Sequence, residues 1–201
     1  INPLLQNKMD IHSWFPTLIG VAHNPDHKKQ APGIIKRLQE LKDHKDTKKL
    51  KSFHLYPLHK DKTLEPLNNW IERKVDDYVK FHNWPKKLKP NESWFHWYTE
   101  GHHNDFHDHR GTTISLIYYV QADINDARVE FKSPVPSDMK NPYGRTAHDQ
   151  KVKLQNDHTY TDCYYKPVEG MLLMFRSYVE HRVEMKKPNL KDRIVISWDL
   201  D

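Results

Sequence analysis

His102-His103-Asn104-Asp105-Phe106-His107-Asp108-His109-Arg110-Gly111 runs directly into Thr112-Thr113-Ile114-Ser115-Leu116-Ile117-Tyr118-Tyr119-Val120. Four of the first ten residues are histidines, and the apolar, β-branched and aromatic run behind them reads as a strand. Imidazole nitrogen is the commonest protein ligand for a transition metal. Side chains alternate along a strand, so His107 and His109, two apart at a strand end, face one side and can share one ion. A third ligand must then come from far along the chain. His181 is placed to supply it, 72 positions past His109 (181 − 109) and shortly after the apolar run 171–175.

The last strand adds a group of a different kind. Over 193–198, Arg193, Val195 and Ser197 share one face, while Ile194, Ile196 and Trp198 share the other. A guanidinium aimed into a barrel needs a carboxylate or phosphate, because leaving it unpaired there is very costly. Two nearby histidines and a distant third make a facial triad that leaves coordination positions open. With Arg193 inside the same barrel, the set implies a bound dicarboxylate, one end on the metal and the other on the guanidinium.

Upstream of this core the periodicity is helical. Pro66 opens a helix whose stripe of Leu67, Trp70, Ile71, Val75, Tyr78 and Val79 opposes Asn68, Asn69, Glu72, Arg73, Asp76 and Asp77, so it covers one face of a sheet. Pro32 reads as the first residue of another helix carrying Ile34, Ile35, Leu38 and Leu41. Residues 1–30 read as mainly extended, with an edge strand near the apolar run broken by Pro16. The charged residues 43–51 read as a loop or a solvated helix end. From Glu92 onward short strands are expected at 93–99, 114–120, 128–131, 170–175 and 193–198. Between them, the polar stretch from Pro134 to Pro167 is longer than an ordinary connection, which marks a functional or mobile loop.

Bulk composition narrows the function classes. The 201 residues allow one domain with a real core, and 6 Trp, 10 Tyr and 7 Phe supply bulky core material. The mean hydropathy of −0.94 predicts a charged skin over that core. A single cysteine, Cys163, rules out a disulfide framework and a thiolate metal cage, and fits a reducing, cytoplasmic setting. No apolar run approaches the ~18 residues of a membrane span, and no secretory pattern opens at Ile1, which reads as a processed or trimmed start. The net charge of +5 would suit nucleic acid, but the lysine runs lack interleaved aromatics and read as solvated surface.

At these residues the chain resembles the iron(II)- and 2-oxoglutarate-dependent oxygenases, which are built on a double-stranded β-helix. Their prolyl-hydroxylase-like branch runs His-x-Asp, a Tyr-Tyr strand, a Gly-led strand containing Phe, a distal His, then Arg. Here that order reads His107-Asp108-His109, Ile117-Tyr118-Tyr119-Val120, Gly170-Met171-Leu172-Leu173-Met174-Phe175, His181 and Arg193. The likeness is closer to a bacterial and phage group of these oxygenases with His-x-His in place of His-x-Asp. That group also opens on Phe-Pro-Thr, here Phe15-Pro16-Thr17, and has an aromatic strand and a glycine before the histidines, here Trp94 to Tyr98 and Gly101.

The resemblance implies an α+β, mainly β fold: a jelly-roll or cupin-like double-stranded β-helix core at 91–201, with an N-terminal extended segment and supporting helices at 1–90 packed on one face. It implies one oxygenase domain over 1–201. It places Fe(II) on His107, His109 and His181, and the far carboxylate of 2-oxoglutarate on Arg193 with help from Ser197. Tyr98 and Tyr119 fall where hydroxyls contact the cosubstrate. The implied reaction uses O2 to hydroxylate an unidentified peptidyl or small-molecule substrate while 2-oxoglutarate loses CO2 to become succinate; a prolyl or other peptidyl residue is the first choice by analogy. Residues 99–106 and the long loop would form the rim.

One departure matters. His109 stands where the branch has a carboxylate, so three neutral imidazoles leave the site one negative charge short. Asp105 or Asp108 is the alternative third ligand, or the acceptor of a ring proton. His102, His103, His148 and His158 read as ordinary surface or core histidines, and Trp94, Trp97 and Trp198 as core. Two further functions fit the same residues: a three-histidine iron dioxygenase that needs no 2-oxoglutarate, and a non-catalytic metal- or nucleic-acid-binding barrel.

Overall fold

Two antiparallel sheets carry the site. The structure, a computed structural model, describes residues 16–44, 52–54, 56–136 and 160–201. Its strands are β1 (Ile19–His23), β2 (Ser52–Phe53), β3 (Pro90–Tyr98), β4 (Asn104–His107), β5 (Ile114–Gln121), β6 (Val129–Lys132), β7 (Asp162–Tyr165), β8 (Met171–Arg176), β9 (His181–Val183) and β10 (Arg193–Leu200). The larger sheet has the order β1-β8-β5-β10-β3-β2 and the smaller one β4-β9-β6-β7. The helices are α1 (His27–Lys42) and α2 (Glu65–Phe81). This is the mostly-β architecture with flanking helices that the alternating patterns predict.

Strand β10 shows how the layers are held. All eight of its residues are buried, because it lies between β5 and β3 and both of its faces are covered. Ile194, Ile196, Trp198 and Leu200 point into an apolar core shared with α1 and α2. Arg193, Ser197 and Asp199 alternate with them, and Val195 on that second face joins a separate core with Tyr98, Tyr119, Phe131, Leu173 and Phe175, between the two sheets. The six-residue stripe expected of α2 is the set that it buries.

The differences from expectation have local causes. α1 begins at His27, five residues before Pro32, which sits inside the helix. Proline removes the N–H that would bond the carbonyl of Lys28, but Lys28 is exposed, so water can satisfy that carbonyl. Residues 27–30 are therefore helical rather than extended. β7 lies inside the stretch read as one long loop, where it pairs with β6. Among the described residues β1 pairs only with β8 and is an edge strand, as Pro16 suggests. Phe15, residues 45–51, His148, His158 and most of the long loop lie outside the described residues. No helix among the described residues is long and apolar enough to cross a membrane.

Candidate active site

Cross-strand pairing brings the distant histidines together. His107 ends β4 and His181 begins β9, and the two stand directly opposite each other in the register, with ring centroids 4.3 Å apart. His109 lies two residues beyond β4, where its backbone N–H donates to the Ser177 carbonyl at 2.9 Å. Its ring centroid is 5.2 Å from that of His107 and 5.3 Å from that of His181. One ring nitrogen from each of the three lies within 4.8 Å of the other two.

The other side of each ring is already engaged. Nδ1 of His107 meets the Asp105 carbonyl at 2.7 Å, and Nδ1 of His181 meets the Val179 carbonyl at 3.1 Å. Nδ1 of His109 meets Oδ2 of Asp199 at 2.9 Å. A carbonyl or carboxylate can only accept, so Nδ1 of each ring is the donor, and in the neutral tautomer Nε2 is the nitrogen left to ligate. Burial, reinforced by the neighbouring His107, pushes the pKa of His181 down to about 3, so at neutral pH it is a free base. Three converging imidazole nitrogens are a donor set for a divalent transition metal. Neither aspartate is part of it: the Asp105 side chain is 96% exposed, and Asp108 pairs with Arg110 at 2.7 Å.

Arg193 lines the same pocket as the three histidines, together with Tyr98, Tyr119 and Ser197. Its Nη1 donates to the Ala127 carbonyl at 2.7 Å and to Asp126 Oδ2 at 3.3 Å, while Nη2 reaches the Glu184 carbonyl at 3.4 Å. Nε is buried with no partner among the described residues. The Nε–Nη2 edge therefore retains donor capacity, and that edge is the shape that grips a carboxylate. Asp126 is fully buried between two cations, Arg193 and Lys186, with Lys186 Nζ 3.9 Å away. One positive charge is left over, so this end of the pocket calls for an anion. The orphaned Nε fits a dicarboxylate cosubstrate.

The aromatic walls keep this end dry. The guanidinium lies 4.5 Å from the Tyr98 ring centroid. Burial raises the pKa of both Tyr98 and Tyr119 despite the opposing pull of Arg193, so both phenols stay protonated and able to donate. Trp94, expected to be plain core, stacks on His109 with centroids 5.6 Å apart and an interplanar angle of 20°. His96, on the same face of β3, also lines the pocket, and burial pushes its pKa down to about 3. Asp199, Asp126, Lys186 and His96 all escaped the sequence reading. Only Asp199 and His96 had a usable signal, each standing two positions along its strand from a residue already noted.

A search of curated protein sequences finds no match. Among solved structures, AviO1 from Streptomyces viridochromogenes Tue57 superposes with a TM-score of 0.61 at 12% identity, covering 92% of this chain and 90% of that one. HygX from Streptomyces hygroscopicus, with nickel and 2-oxoglutarate bound, gives 0.59 at 13% identity over 92% and 82%. A prolyl-4-hydroxylase from Pseudomonas putida gives 0.58 at 12% identity over 91% and 92%. These likenesses show a shared fold, the double-stranded β-helix. The model of a 2OG-Fe(II) oxygenase family matches residues 92–199, more than half of the chain and the whole of the region that builds the pocket. The chain belongs to that family and is an iron(II)- and 2-oxoglutarate-dependent oxygenase.

Proposed function

We propose that His107, His109 and His181 hold the iron, that Arg193 holds the far carboxylate of 2-oxoglutarate, and that the enzyme hydroxylates its substrate. The observation that carries this reading is one pocket with two chemically different ends: three converging imidazole nitrogens, and a buried cation with an unspent donor edge. When bound, iron(II) and 2-oxoglutarate supply the oxygen chemistry that yields succinate and CO2 and inserts an oxygen atom into a C–H bond.

The protein's own part is binding, orientation and exclusion of water. The three imidazoles would hold the ion from one wall of the pocket. Arg193 fixes the length and direction of the cosubstrate, and Asp126 holds Nη1 so that the guanidinium presents its other edge. Tyr98 and Tyr119 shield that end and can donate hydrogen bonds to oxygen; Ser197, on the same strand face, is a third donor. Residues 99–106, including Asn104 on the pocket wall, supply one side of the rim that selects the substrate. A peptidyl residue is the first class to test, as the fold is shared with a prolyl-4-hydroxylase.

The test is an anaerobic titration with iron(II) and then 2-oxoglutarate, following the visible charge-transfer band of the chelate. Wild type is expected to develop the band and, on admitting oxygen, to form succinate. Arg193→Ala is expected to bind metal but to weaken 2-oxoglutarate by about 100-fold or more, since a buried charge-assisted contact is lost. Unchanged cosubstrate affinity in that variant would remove the role assigned to Arg193. Oxygen uptake without succinate would overturn the use of 2-oxoglutarate.

A further inference from the structure

The three histidines differ in what holds their outer nitrogens. For His107 and His181 the acceptor is a neutral backbone carbonyl. For His109 alone it is a carboxylate, Asp199 Oδ2 at 2.9 Å. The other oxygen of that carboxylate accepts from Ser115 Oγ at 2.6 Å. The Asp199 side chain is 9% exposed, and its only ion-pair partner among the described residues is His109. A buried carboxylate without a neighbouring lysine or arginine is costly unless a positive charge lies close by another route.

We propose that Asp199 supplies, through the His109 ring, the negative charge that a carboxylate ligand would otherwise bring to the iron. Resting on the assignment of the three histidines as ligands, this makes Asp199 a positioning residue that touches neither metal nor substrate. By accepting the Nδ1 proton it fixes the His109 tautomer and pushes electron density toward Nε2, as a carboxylate behind a ligating histidine does. Trp94 sets the plane of the same ring by stacking on it. Charge accounting supports the assignment. A metal dication and a cosubstrate dianion cancel, and Arg193 and Lys186 balance Asp126 and Asp199. Without Asp199, the filled pocket would keep one uncompensated positive charge.

Two measurements besides turnover test this on the full chain: Ni(II) affinity by competition with a chelating dye, and the energy of the anaerobic iron(II)–2-oxoglutarate band. Asp199→Asn keeps the shape and removes the charge. It is expected to weaken Ni(II) by about 10–100-fold and to move the band to shorter wavelength, because a less electron-rich iron gives up charge less readily. Ser115→Ala leaves more of the Asp199 charge for His109, so its band is expected to move the opposite way, to longer wavelength. That variant keeps the test alive should Asp199→Asn fail to fold. Wild-type affinity and band energy in Asp199→Asn, or an unshifted band in Ser115→Ala, would overturn the role of Asp199. If wild type bound neither metal, or His107→Ala bound Ni(II) as wild type does, the ligand assignment itself would fall.

Discussion

The two faces of β10 have diverged in chemistry although they share one backbone. Ile194, Ile196, Trp198 and Leu200 face the helices in an apolar core. On the opposite face, Arg193 and Asp199 carry buried charges of opposite sign at the two ends of one strand, separated by Val195 and Ser197. The first face gains from area removed from water; the second gives some of that up to hold charges in a dry place. The strand can bear both because it is flanked by β5 and β3 and its backbone is paired on both edges. Stability and chemistry are thus set by alternate residues, and substitutions should separate them.

The largest separation is expected at Trp198, which is 1% exposed and faces the helices. Trp198→Ala should cost about 3–5 kcal/mol in a urea melt, while Ni(II) affinity of the folded fraction stays as in wild type. Loss of metal affinity in parallel with stability would show that the two faces are not independent. A smaller effect is expected at Gly170, which adopts φ +78° and where an added Cβ would lie 2.8 Å from Cβ of His27. Gly170→Ala should cost about 2–4 kcal/mol from backbone strain plus crowding, again with metal affinity retained.

The smallest effect is one of pH: buried His96 and His181 on the site side carry acid sensitivity of their own, and His27 adds a share from the helix side. The Tyr118 hydroxyl accepts from Asn24 Nδ2 at 3.1 Å and shares a hydrogen bond with Nδ1 of buried His27, at 2.9 Å. Burial lowers the His27 pKa, outweighing the attraction of Glu169. The unfolded chain, with an ordinary histidine pKa near 6.5, then takes up the proton first as the solution is acidified. The contribution of His27 is present above about pH 6.5 and is lost as pH falls from there toward its folded value. His27→Gln should flatten the slope of stability against pH between about 7 and 5. A slope unchanged in that variant would place the acid sensitivity elsewhere.

How much could be read without coordinates depended on repetition. The α2 stripe repeats its period several times and Ile114 to Val120 is a long apolar run, so both are legible in the sequence. β4 and β9 are four and three residues long and largely polar, too short for any period to show. The histidines on them were found instead through their spacing and order along the chain. The strand expected over 193–198 ends one position short of Asp199, which lies on the same face as Arg193 and Ser197. Asp126 stands in the turn after β5, where no periodicity exists, so its contact with Arg193 could not be foreseen. The α1 start was misplaced because a proline tolerated inside the helix looks, in sequence, like the proline that begins one.

The histidines also sit on opposite sides of a seam. His107 and His181 belong to the narrow sheet, whereas His109 leads into the broad one and is tethered to β10 through Asp199. An ion held by all three, as proposed above, would be a clasp between two layers, placed where the narrow sheet is short: β9 has three residues, and β4 has a break in its register. Anything that binds only the folded form favours it by mass action. Iron starvation would then be felt as a shorter-lived polypeptide, open to proteases along that seam, as well as an idle one.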